Sequence, residues 1–114
     1  MAATYKVESF GRRHTIQWTG LTTAGNASIE AVGVRFAAAV AAVQATGTFG
    51  SATVALHGSC DGTNFVALSD TDSTTIGLTS AGISEFSTGV AFLKPNVSGG
   101  TGDDLDVTVV LWAE

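Results

Sequence analysis

One cysteine, one proline, five lysines and arginines together, and no long apolar run mark this 114-residue chain, and each shortage removes a class of protein. Cys60 alone cannot close an intrachain disulfide, and nothing around it has zinc-ligand spacing. It stands beside Asp61, whose charge disfavours the thiolate that a nucleophile needs. Five cations against ten carboxylates leave a net charge of −5, and phosphate binding needs clustered Lys and Arg, so a nucleic-acid partner is not expected. Arg12-Arg13 is the one adjacent basic pair. The longest aliphatic run, Phe36 to Val43, falls far short of the ~20 residues a membrane helix needs, so no membrane partner is expected. The opening MAATYKVESFGRRHTIQW has no apolar core of a secretory signal, which points to synthesis and folding in a cytoplasm.

Catalytic signatures are missing too. There is no G-x-S-x-G elbow, no G-x-x-x-x-G-K loop and no H-E-x-x-H helix. His14 and His57 have no metal-binding spacing between them, and carboxylates neighbour one another only in loops. GGTGDDLD, Gly99 to Asp106, echoes a calcium nonapeptide, but Asp106 takes its apolar position and the unit occurs once, whereas such sites form between stacked copies. Asp70 and Asp72 could offer oxygens to calcium, yet no EF-hand glycine or terminal glutamate follows. Both loops read as ordinary turns. No enzyme, cofactor or metal is expected.

What the chain does have is 14 glycines, only 13% charged residues, and abundant Thr, Ser, Val and Ala. That is the composition of short strands joined by tight turns. Much of the 45% hydrophobic content is alanine, so the core is light, and a mean hydropathy of +0.33 with so few charges predicts apolar surface left for another copy or a larger partner.

Gly47 to Leu68 carries the most information. Ala52, Val54 and Leu56 alternate with Thr53, Ala55 and His57, the period of a half-buried strand. Asp61-Gly62 then supplies a reversal, the Asp bonding backbone amides and the Gly accepting φ > 0. A short second strand, Asn64 to Leu68, offers Phe65 as an anchor. Elsewhere, Thr4 to Ser9 reads as an extended arm, and Arg13 to Thr19 as a strand with His14, Ile16 and Trp18 on one face. FAAAVAAVQA, Phe36 to Ala45, is ambiguous between helix and strand. Flanking Gly33 and Gly47 and the β-branched Val32, Val34, Val40 and Val43 favour strand, and an Ala-rich strand implies a close neighbour. Short strands are expected at Thr75 to Leu78, Ile83 to Phe86 and Val90 to Leu93, where Pro95 marks a strand end or edge. The last strand, Leu105 to Trp112, has apolar groups on both faces near its end, predicting burial on both sides there. Seven or eight such strands make an all-β, single-domain antiparallel β-sandwich, jelly-roll-like, over 13–114 with an N-terminal arm over 1–12.

GTFG, then Val54, Leu56, Gly58, Ser59, Asp61, Gly62, Asn64, Phe65 and Leu68, then LKPNVSGGTG before a terminal apolar strand, resembles small virion proteins of tailed bacteriophages, typically head decoration or cement proteins. The likeness covers roughly the second half of the chain. It implies a structural protein on the capsid surface whose partners are the major capsid protein and further copies of itself, a trimer before a dimer. On that reading the gripping residues are Tyr5, Phe10, Arg12 and Arg13 of the arm, with Val110 and Trp112 available for self-association. The G-S-x-D-G-x-x-F hairpin is also similar to one in discoidin-type carbohydrate-binding sandwiches, which implies a glycan-binding module as the alternative.

Overall fold

Period-two alternation becomes two antiparallel sheets packed face to face in a computed structural model that describes residues 4–34 and 38–113. The nine strands are β1 (Thr4–Phe10), β2 (Arg13–Leu21), β3 (Val32–Gly33), β4 (Ala38–Thr48), β5 (Thr53–Ser59), β6 (Val66–Ala67), β7 (Gly82–Thr88), β8 (Phe92–Ser98) and β9 (Asp104–Trp112). One sheet runs β1-β2-β9-β4-β7 and the other β3-β8-β5-β6. Leaving β1 aside, the interleaved orders 2-9-4-7 and 3-8-5-6 are those of the jelly roll. The expected all-β sandwich is the observed fold.

The core lies between the sheets. From the larger sheet come Ile16, Trp18 and Leu21 of β2, Val43 and Ala45 of β4, Phe86 of β7 and every second residue of β9 from Leu105 to Leu111. Val54, Leu56, Leu93 and Val97 oppose them from the smaller sheet. The Trp18 indole donates to the Glu30 carbonyl at 2.8 Å, so the largest core residue has its one polar atom satisfied. The Ala-rich segment is strand where it is described: β4 is flanked on both sides, by β9 and β7, the close neighbours that small side chains permit. Positions 36 and 37 of that segment, and the first three residues of the expected arm, lie outside the described residues.

Several details differ from or sharpen the sequence reading, among them Thr75 to Leu78, which makes isolated bridges at Thr75 and Leu78 and no strand. The segment Thr4 to Ser9 is extended but not free: it is paired with β2 along its whole length, from Thr4↔Thr19 to Phe10↔Arg13. The second hairpin strand shrinks to Val66 and Ala67, and Phe65 is half-buried under the Lys94 ammonium, 4.5 Å from its ring centre, rather than anchored in the core. Pro95 sits in the middle of β8, opposite Leu56. Backbone N–H groups alternate sides along a strand, and Val97 donates away from β5 to Asn26 Oδ1. The missing N–H of Pro95 therefore faces a side that β3 has already left, its pairing with β8 ending at Val32↔Leu93. Finally, Trp112 is 43% exposed: the end of β9 is buried on one face only.

Candidate interaction face

The loops that looked richest in chemistry are occupied with holding themselves together. Ser59, buried at the end of β5, accepts from the Asp61 and Gly62 amides and donates to Asp61 Oδ1. Asp61 in turn accepts from the Thr63 and Asn64 amides at 2.8 Å and from the Asn64 side chain. Those bonds to the charged form hold the Asp61 carboxyl well below its usual range. The folded chain thus binds the Asp61 proton less readily than the unfolded one, so the turn's contribution is complete above the ordinary carboxylate range, starts to fall within it and is lost as the pH passes below the depressed folded value. Gly62 has φ = +79°, the left-handed conformation expected after Asp61. Cys60 is exposed on this turn.

Asp103 is buried and accepts from both the amide and the hydroxyl of Thr23. Asp70 accepts from the Asp72 and Thr74 amides within its own turn. Among the described residues no three His, Cys, Asp or Glu side chains gather in a way that could hold a metal ion, and no buried side-chain polar atom lacks a partner. His57, half-buried on β5 opposite Lys94, has its pKa lowered, first by burial and then by the Lys94 charge.

The larger sheet presents something different on its outer face. Residues directly opposite in antiparallel strands share a face, so the registers line up Phe10, Arg13, Trp112 and Val40 as one row across β1, β2, β9 and β4. Behind it run Glu8, Thr15, Val110, Ala42 and Glu85. Phe10 is 77% exposed, Val40 59% and Trp112 43%. The Arg13 guanidinium lies 5.7 Å from the centre of the Phe10 ring, and Arg12 ties the β1–β2 turn to the chain end by donating from Nε to the Ala113 carbonyl at 2.9 Å. The row is a strip of apolar side chains around one cation, carried on paired strands.

Of the six residues expected to touch a partner, Phe10, Arg13, Val110 and Trp112 fall on this face. Arg12 lies at its rim in the turn. Tyr5 does not join them, because in register with Trp18 it points to the opposite side of β1. There it stays 44% exposed, as Val7 does at 52%. A groove of about 310 Å³ opens on that side, lined by Val7, Ser9, His14, Ile16, Val34 and Leu111, with Ser9 Oγ and His14 Nδ1 2.8 Å apart. Val40 was missed by sequence reasoning. Its signal was the same alternation, hidden in an alanine run whose register could not be assigned.

Two solved structures are similar to this one. The crystal structure of SPBc2 prophage-derived protein YomS matches with a TM-score of 0.63 at 17% identity, over 91% of this chain and 98% of that one. The likeness is one of fold. A Bacillus endospore appendage protein, from a novel family of disulfide-linked pili, matches over 98% of this chain and 91% of that one, at 14% identity and a TM-score of 0.44. No protein-family model and no curated protein matches the chain.

Proposed function

We propose that this chain is a structural protein of a tailed-phage particle that decorates the outside of the head and bridges neighbouring major capsid protein subunits, adding binding energy and no chemistry. The observation that carries the docking part is the exposed row Phe10, Arg13, Trp112 and Val40. Aromatic and Arg side chains dominate binding energy at protein interfaces, and here a rigid sheet, not a free arm, holds them. Arg13 suits shell carboxylates. The phage setting is supported by the resemblance of the second half of the chain to virion proteins and by the prophage origin of YomS, a protein of the same fold. A glycan-binding module is the second reading, favoured by the same exposed Phe10 and Trp112 rings.

The test is mass-spectrometric identification of the chain in purified particles, followed by rebinding of the F10S/W112S variant to heads lacking the protein. The double variant should fold normally and bind heads at least about tenfold more weakly. Absence of the chain from particles, together with Trp112-dependent capture on a glycan array, would replace this reading with the second.

A further inference from the structure

A jelly roll has four sheet edges, and among the described residues three of them are short or interrupted. β3 and β6 are two residues each, too short to template another strand. β7 is met from outside by the Thr71 amide, which donates to the Glu85 carbonyl at 3.0 Å. β1 is the exception. It is seven residues long, it ends the five-stranded sheet, and among the described residues no further backbone hydrogen bond reaches its outer edge. Its side chains are exposed from Tyr5 to Phe10. An uncovered edge of this length with apolar residues on it invites another strand.

The sequence of β1 says which strand. Lys6 and Glu8 flank Val7 and lie on the same face, 3.3 Å apart as an ion pair. Two copies of β1 can pair antiparallel about a two-fold axis only in registers that place like faces together, so the axis passes through Lys6, Val7 or Glu8 if most of the strand is to pair. Through Lys6 it sets ammonium against ammonium; through Glu8, carboxylate against carboxylate. Through Val7, Lys6 of each copy faces Glu8 of the other, Val7 packs on Val7, and Tyr5 comes opposite Ser9. Opposite charges directly across a ladder stabilise it and like charges oppose it.

From this self-complementarity we infer that the outer edge of β1 pairs with β1 of a second copy of this chain, antiparallel about a two-fold axis through Val7. The two five-stranded sheets become one of ten strands. The exposed apolar side chains of Val7 and Tyr5, which overhang the smaller sheet, cover one another. The interface is isologous and closes at two copies, where the resemblance to decoration proteins implies three. The Phe10, Arg13, Trp112 and Val40 row stays on the outer face, doubled.

Sedimentation equilibrium of the isolated full chain tests this without any phage head, so its outcome and that of the decoration reading are told apart. The wild type should sediment as a dimer. Glu8→Lys and Lys6→Glu each place two like-charge pairs across the axis and should each weaken dimerisation by about tenfold, whereas the K6E/E8K double variant restores the opposite pairing and should dimerise as the wild type does. In a Cys60→Ser background, Val7→Cys should form a disulfide-linked dimer on mild oxidation, since directly opposite residues are within bonding reach, while Tyr5→Cys should not. A monomer at every concentration up to the solubility limit, a trimer, single charge variants that dimerise undiminished, or equal cross-linking at Tyr5 would each overturn the inference.

Discussion

Trp18 and Trp112 belong to adjacent strands of one sheet and differ in what surrounds them. Trp18, on β2, is 1% exposed, packed between the sheets with its indole N–H bonded to the Glu30 carbonyl. Trp112, near the end of β9, stands 43% exposed on the outer face beside Arg13. The same side chain is structure on one face and surface on the other. The difference teaches how a small chain divides its apolar residues: an alanine-lightened core takes the inward half, and the outward half stays exposed on the face of the larger sheet.

Breaking the inner half should have the largest effect. Trp18→Ala removes a filled core position and strands the Glu30 carbonyl, and should cost about 3–5 kcal/mol in urea unfolding, enough to leave the domain marginal. A smaller, local loss is expected from Gly62→Val. A side chain there would adopt a φ of +79° with its Cβ 3.1 Å from the Phe92 ring, a strain of about 1–3 kcal/mol that should lower the melting temperature without changing the far-ultraviolet spectrum. An unchanged melting point would mean that the Ser59–Asp61 network relaxes around the substitution. The outer half sharpens the contrast from the other side: Trp112→Ser should leave unfolding within about 0.5 kcal/mol of wild type, because what the ring contributes is not spent on the fold.

Much of this division was legible in the sequence. The alternation in Ala52 to His57 and in Leu105 to Trp112 placed the inward residues correctly, and Asp61-Gly62 announced its turn, because those signals are local: a period of two and a residue that tolerates positive φ. The Ala-rich segment stayed ambiguous because alanine favours helix intrinsically, and only flanking by β9 and β7 decides for strand. Pro95 ends no strand but sits on a locally uncovered edge of β8, and the sequence left those two alternatives open for a related reason. Whether a missing N–H matters depends on which side of the strand has a neighbour, and that is a property of the assembled sheet. The outer strip brings Phe10 and Arg13 of the expected grip beside Val110 and Trp112 but leaves Tyr5 out, which a reading of 1–12 as an arm could not foresee. Once the segment pairs with β2, alternate residues must part to opposite faces.

Pro95 has a further consequence, for growth. Each receptive edge is a functional group in the polymer chemist's sense, and the side of the sandwich where β1 lies over β3 would be bifunctional if both sheets could add strands there. On β8, the ring of Pro95 and the Asn26 side chain bonded to the Val97 amide occupy the stretch that β3 leaves uncovered, so that stretch offers an incoming strand neither a donor nor room. The proline acts as a cap: it leaves that side of the molecule monofunctional, uncovered at β1 and closed beneath it at β8.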